Sequence, residues 1–193
     1  MRLAGGARSV TAASAVTLGF MNGGPPLSLP EWTVLTVVSQ GPAHGFAIAR
    51  LTERGGELGR VWQIPRPVIY RAIGRLLDAG LLSQEAVEPG RGPQRTIYTA
   101  TPEGRRAAAA WLDAPVRHVR DIRSALMLKL ALLNRAGSDP SGLLRRQRKV
   151  LEPIARAMEA ERPQGNGFDA TLLAWRRGTA VAALGFLDDI THR

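Results

Sequence analysis

RPVIYRAIGRLLDAGLL, residues 66–82, begins like a loop, continues as an amphipathic helix and stops at a glycine. On a helical projection of about 100° per residue, Ile69, Ile73, Leu76 and Leu77 fall on one side and make a stripe to bury. Pro67, Arg71, Gly74, Arg75 and Asp78 fall on the far side, with Tyr70 at the border and Gly80 closing the helix. Between Arg60 and Leu77 stand arginines 60, 66, 71 and 75, and no acidic residue. A short helix that turns arginines and a tyrosine to solvent is built to touch something anionic.

Its neighbours in sequence supply the setting. SLPE, residues 28–31, reads as a capping box in which Ser28 accepts from early helical N–H groups and Glu31 reaches back. Trp32, Leu35 and Val38 continue a first helix that Gly41-Pro42 closes. A second helix is expected over 43–54, carrying Phe46, Ile48 and Leu51, with His44 starting or capping it and Gly55-Gly56 ending it. After the opening stretch, LLSQEAVE (81–88) and RTIYTAT (95–101) have strand character and flank the turn-rich PGRGPQ. TPEG then opens a helix with Thr101 as N-cap, Pro102 at the first helical position and Glu103 at the positive dipole end. That helix breaks near Pro115. Three helices, a hairpin and a further helix in this order spell a winged helix-turn-helix.

From about residue 116 the helices lengthen. VRHVRDIRSALMLKLALLNR (116–135) reads as one helix with Val119, Ile122, Leu126, Leu130 and Leu133 on one face. Asp139-Pro140 caps the next, which carries Leu143, Leu144, Leu151, Ile154 and Met158 and is kinked at Pro153. The last, about 169–191, holds Leu172, Trp175, Phe186 and Ile190 among small residues that permit close approach. Three amphipathic helices without a domain-sized core invite a partner, most simply a second copy. Leu126, Leu130, Leu133, Leu172, Trp175, Phe186 and Ile190 are therefore the expected dimer interface. The fold class is mainly α with a small β-hairpin wing. Residues 1–27 are expected as a flexible tail, 28–113 as the winged helix, and 114–193 as a three-helix, antiparallel, coiled-coil-like dimerisation domain. The tail faintly echoes a secretory signal, but its Ser, Thr and Gly favour a plain tail, and Met21 offers a second start.

Composition narrows the function. The chain of 193 residues is long enough to bury a core and carries a net charge of +10, from 26 basic and 16 acidic side chains. Such a balance favours nucleic acid or an anionic surface as partner. The charge is not spread evenly. Residues 28–113 hold ten basic and eight acidic side chains, against fourteen and eight in 114–193. A DNA-reading role therefore rests on arginine segregated into the third helix and the wing. The absence of cysteine excludes disulfides and thiolate chemistry, and His44, His118 and His192 share no metal-ligand spacing. No apolar run approaches the ~20 residues of a membrane helix, so the chain is expected in the cytoplasm. There is no Ser/His/Asp constellation, no phosphate-cradling glycine loop and no convergent carboxylate pair. Neither an enzyme nor a cofactor is expected.

The run LSLPEWTVL…GPAHGFAIA…VIYRAIGRLLDAGLL…RTIYTATPEG resembles the PadR family of bacterial transcriptional regulators over about 28–113. The most specific part is Tyr70, Ala72, Ile73, Arg75, Leu76, Gly80 and Leu81; His44-Gly45-Phe46 and the Tyr98, Thr101, Gly104 run agree. The C-terminal helices, with Arg120-Asp121 and Leu128-Lys129-Leu130, look more loosely like the family's longer dimerisation domain. Arg71 stands where many members have proline, and Arg66 where a small residue is common. The resemblance implies a homodimer on a pseudo-palindromic operator, usually as a repressor, often released when a small molecule binds near the dimer interface.

On this reading double-stranded DNA is the partner, and Gln63, Arg66, Tyr70, Arg71, Gly74 and Arg75 face it, with Arg91 and Arg95 from the wing. Arginine on the third helix suits guanine O6 and N7, Gly74 allows close approach, and the wing suits phosphates or the minor groove. Each residue has a plainer alternative. Tyr70 can cap the core edge beside Leu77, and Arg75 can pair with Asp78, Glu53 or Glu57. Trp111 and Trp175 fit core or interface better than a ligand clamp, and RRQRK (145–149) fits a solvated helix face. A small aromatic or hydrophobic effector in an interface pocket lined by Trp111, Trp175 or Phe186 completes the expectation. The competing function is a winged-helix protein-interaction module that reads no sequence.

Overall fold

A computed structural model of the chain describes residues 26–88, 95–162 and 167–191. Nearly all of the expected tail and the turn PGRGPQ, with Arg91, lie outside the described residues. Among those described are seven α-helices and one three-stranded antiparallel sheet, the winged-helix architecture expected from the sequence.

Helix α1 (Leu29–Gln40) begins at the capping box, where the Ser28 N–H donates to Glu31 Oε2 at 2.6 Å. The single helix expected over 43–54 is divided. Strand β1 (Ala43–His44) comes first and α2 (Gly45–Thr52) follows, with His44 Nδ1 accepting from the Ala47 N–H at 3.0 Å as its cap. Two residues are too few to show an alternating pattern, and β1 exists only because its backbone pairs with a strand far along the chain. Helix α2 buries Ile48 and Ala49, whereas Phe46, grouped with Ile48 and Leu51 in the sequence reading, is 40% exposed.

The connection to α3 is fastened down. The N–H groups of Leu58 and Gly59 both donate to the Leu51 carbonyl, that of Ile64 donates to Thr52, and Leu58 and Ile64 are buried. Helix α3 (Arg66–Asp78) buries Ile69, Ala72, Ile73 and Leu76 and half-buries Leu77. Strands β2 (Leu82–Glu88) and β3 (Arg95–Ala100) form the wing, in the order β1-β3-β2, with a register shift between Gln84 and Ala86. Helix α4 (Pro102–Asp113) starts at Thr101, whose hydroxyl accepts from the Gly104 N–H at 3.0 Å and donates to the Gly80 carbonyl at 2.9 Å. A Cβ at position 104 would strike the Leu81 carbonyl, so glycine is what lets α4 dock there.

The helix expected over 116–135 is wound in three ways. A 3-10 turn (Val119–Asp121) and a π-type turn (Ile122–Leu126) lead into α5 (Met127–Arg135). The change of winding lets one segment serve two cores. Leu128 and Leu132 complete the core of α1, α3 and α4, while Leu126, with Val119 and Ile122 beside it, joins Leu143, Leu144, Leu151, Ala183 and Leu187. Helices α6 (Ser141–Ala160), with Pro153 inside it, and α7 (Phe168–Thr191) supply the rest of that second core. Asp139 accepts from the Ser141 N–H and hydroxyl ahead of α6, and the hydroxyl holds its carboxyl below the usual range. The run RRQRK is not wholly a solvated face. Gln147 is fully buried, its Oε1 accepting from the Val116 N–H at 2.8 Å and its Nε2 donating to the Val116 carbonyl at 2.9 Å. Both backbone groups of a buried residue are satisfied by one amide, which a helical pattern cannot announce.

Candidate nucleic-acid interface

With its apolar stripe held in the core, α3 turns Arg66, Pro67, Tyr70, Arg71, Arg75 and Asp78 to solvent. Gly74 lies on the same face and has open space where a Cβ would stand. Gln63 is exposed just ahead of the helix. The helical stretch with which the sequence reading began therefore stands as one continuous surface, positive along its length until Asp78.

The arginines on it are held differently. Arg71 has no hydrogen bond or ion pair among the described residues, and its guanidinium is free to meet a ligand. Arg75 Nη1 pairs at 2.9 Å with Glu31 Oε1, a partner other than Asp78, Glu53 or Glu57. The same carboxylate takes the Ser28 N–H through its other oxygen, so one buried acid caps α1 and ties α3 to it. The Arg75 side chain remains half exposed. Arg66 instead lies over aromatic rings, its Cζ 4.9 Å from the Phe46 centroid and 5.8 Å from that of Tyr70. Tyr70 satisfies both readings of it: 43% of it is exposed, yet its ring lies so close to Gly45 that a Cβ there would approach Cε1 to 2.8 Å.

Phe46, exposed against Arg66, and Trp62, exposed in the connection ahead of α3, were not among the candidates read from the sequence. Phe46 follows a helix cap on α2, and only the spatial meeting of α2 with α3 brings it to Arg66. On the wing, Arg95 opens β3 opposite Glu88, with its side chain outside the described residues, as is the whole of Arg91.

The expected dimer residues divide as well. Leu126 is fully buried within its own chain and so offers nothing to a second copy. Leu130, Leu133, Phe186 and Ile190 lie partly buried against the second core, and Leu172 is half-buried. Trp175 is 72% exposed, and Phe168 and Val181 on the same helix are comparably open. Trp111 is a core residue. Its ring stacks on Trp32 at 5.4 Å, and the ammonium of buried Lys129 sits over it at 4.7 Å while donating to the Ala114 carbonyl at 2.5 Å. Burial pushes the Lys129 ammonium down to about 8, against the opposing pull of Asp113. Trp175 lines a different place, a groove of about 330 Å³ with Arg117, His118, Val119, Ile154 and Met158, which neither Trp111 nor Phe186 reaches. Among the described residues no helix is long and apolar enough to cross a membrane.

Residues 34–110 match the family described as "Transcriptional regulator PadR-like family". Among curated proteins nothing matches significantly. Several solved structures are similar. One is the Bacillus subtilis PadR in complex with operator DNA, 18% identical over 86% of this chain and 99% of that one, with a TM-score of 0.45. Another is the Bacillus subtilis PadR in complex with p-coumaric acid, 17% identical over 84% and 96%, with a TM-score of 0.41. A third is the PadR-like regulator BC1756 from Bacillus cereus, 18% identical over 83% and 94%, with a TM-score of 0.39.

Proposed function

From the PadR-like match of residues 34–110, we propose that this chain is a sequence-specific DNA-binding transcriptional regulator, acting as a homodimer on a pseudo-palindromic operator. The observation that carries the reading is the outer face of α3, where Arg66, Tyr70 and Arg71 stand exposed with Gly74 open beside them and no acid before Asp78. A helix of this kind enters the major groove, where its arginines meet guanine edges and phosphates. Residues 28–113 are then the DNA-binding part, and 114–193 supply the pairing. Leu128 and Leu132 key the second part into the core of the first, so a shift of the C-terminal helices reaches the DNA-binding half through packed side chains. Two copies place their α3 helices on half-sites about 34–36 Å apart.

The regulator acts as a repressor by occupying its site. The groove beside Trp175 is the place for a small aromatic or hydrophobic effector, because it joins an indole and apolar side chains to the cations of its rim. Arg91 and Arg95 of the wing belong to the backbone contacts that hold register without reading sequence.

Fluorescence anisotropy with DNA from upstream of the protein's own gene, against random DNA at low and physiological salt, tests the proposal. A preference for the upstream fragment with two chains per site, weakened by salt, is the expected result. Absence of binding at both salts, with a protein partner co-purifying, would turn the reading toward the interaction module.

A further inference from the structure

We infer that Phe46 is a positioning residue for base reading: with Tyr70 it holds the Arg66 guanidinium at the leading end of α3, aimed at a guanine edge. The inference rests on the DNA-binding reading above and assigns a role to a residue outside the recognition helix.

Four features converge on it. Phe46 is a large apolar side chain left 40% exposed on a helix that buries Ile48 and Ala49 fully and Leu51 in part. The fold thus keeps its ring at the surface, beside the start of α3. His44 caps α2 through Nδ1, and its ring lies 6.3 Å from that of Phe46 with an interplanar angle of 26°, so the second helix starts with an aromatic pair. Gly45, between them, has no Cβ to keep Tyr70 away. Arg66 then lies over both the Phe46 and Tyr70 rings.

The chemistry separates Arg66 from its neighbours on α3. Arg75 spends a donor on the Glu31 carboxylate. Arg66 has no acid or hydrogen-bond acceptor among the described residues, and its charge is met by the negative faces of two rings. A cation over a ring keeps its N–H groups for a ligand while losing much of its rotational freedom. Arg66 is also the first residue of α3, and the N-terminal residues of a recognition helix are the ones that reach base edges. A planar fork held there suits the O6 and N7 acceptors of guanine.

The test selects binding sites from a random double-stranded DNA library with the full-length chain, Arg66→Ala, Phe46→Leu and Phe46→Tyr. In parallel, the Arg66 Nε–Hε resonance is followed in the free proteins. The wild type is expected to enrich a motif with a guanine whose preference falls about tenfold or more in Arg66→Ala. Phe46→Leu should lower the preference at that one position by about two- to fivefold, the worth of one exposed cation–π contact, and Phe46→Tyr should restore it. The ring-current shift of the Arg66 resonance should shrink in Phe46→Leu, where only the Tyr70 ring remains, and be kept in Phe46→Tyr. If the guanine preference depends on Arg66 but not on Phe46, or if Phe46→Leu weakens every position alike, the positioning role is overturned while the DNA-binding reading stands. If the wild type enriches no motif, the DNA-binding reading itself fails and base reading by Arg66 with it. An unmoved Arg66 resonance in Phe46→Leu overturns the holding of the guanidinium whatever the DNA result.

Discussion

Among the described residues between Leu29 and Asp113, aliphatic side chains are drawn into one core that α1, α3, α4 and the sheet close over, and the exposed large apolar side chains are the aromatics Phe46, Trp62 and Tyr70. Along α7 the exposed ones are Phe168, Trp175 and Val181, spread down a single helix whose inner face, Leu173, Ala180, Ala183 and Leu187, is already spent on the chain's own packing. The two kinds of exposure mean different things. Two of these aromatics, Phe46 and Tyr70, lie against the Arg66 guanidinium at the start of α3 and suit a polar, charged ligand. On α7, Phe168 and Trp175 stand seven residues apart on one side while Val181 opens on another, beside Glu152 and Leu184, and this exposure is available for apolar cover. The winged-helix half sets two exposed aromatics against an arginine, whereas the C-terminal half spreads its exposed apolar side chains along one helix.

The comparison can be broken first by stability. Leu76 is fully buried where α3 meets α1, so Leu76→Ala should cost about 2–5 kcal/mol in denaturant unfolding, the usual range for a buried leucine. Val181→Ala on α7, at 69% exposure, should cost under about 0.5 kcal/mol. Comparable losses at the two positions would mean that α7 is buried in solution, already covered by a second chain.

Lys129 joins the halves, and its burial makes that junction sensitive to pH. Its pKa is lowered from 10.5 to about 8 by desolvation, with Asp113 pulling the other way. The unfolded chain therefore holds this proton to higher pH than the native chain. Below about pH 8 both states are protonated and the cost of burying the ammonium is present in full. As pH rises from there the unfolded state binds more protons, so stability increases, by about 2 kcal/mol between pH 7 and pH 9.5 from this residue alone. Urea unfolding of the wild type and Lys129→Met at the two pH values should show that rise lost in the variant. An equal rise in both would remove Lys129 as its source.

On the DNA face, Arg71 and Arg75 should separate. If the proposed DNA-binding role holds, Arg71→Ala should cut affinity for the preferred sequence by about tenfold, with less effect on random DNA, because an unpaired arginine on the far side of α3 is placed to meet base edges. Arg75→Ala releases buried Glu31 from its partner and should show first as lower stability, with DNA weakened alike for both sequences. Anisotropy titrations together with thermal melts check the pair, and the reverse pattern would reassign the reading face.

What the sequence disclosed follows from how far each interaction reaches. The capping box at Ser28 and Glu31, the Thr101 cap, the stripe of Ile69, Ile73 and Leu76 and the hairpin are local, and a few neighbouring residues suffice to announce them. Arg71, Gly74 and Arg75 on the far side of α3, and Tyr70 at its border, came from the same arithmetic. Hidden features join distant segments: β1 on β3, Glu31 on Arg75, Phe46 under Arg66, Gln147 clasping Val116. The stretch 116–135 misled for a related reason. Its apolar residues serve two cores in different directions, and one helical face cannot do both, so Leu126 turns inward where a partner was expected to find it. Charge counting suffered likewise, because an arginine in sequence carries no sign of whether an acid, a ring or open water will face it.

The smallest expected effect on the chain itself is the most telling for the C-terminal half. Trp175, at 72% exposure, touches little that an alanine would miss, so Trp175→Ala should leave the unfolding free energy of the isolated chain within about 0.5 kcal/mol. A large aromatic at the centre of an interface is the kind of residue on which association depends. Sedimentation velocity over a dilution series should then show the wild type as a dimer at concentrations where Trp175→Ala is a monomer, with unchanged melting at the concentration where both are monomeric. DNA affinity should fall with the dimer, since one copy alone grips one half-site. If the variant stays dimeric and instead loses only its response to a small aromatic molecule, Trp175 belongs to the groove with Arg117 and Ile154 rather than to the seam between copies. Pairing would then have to run along other parts of α6 and α7, with the half-buried Leu172, Phe186 and Ile190 next in line.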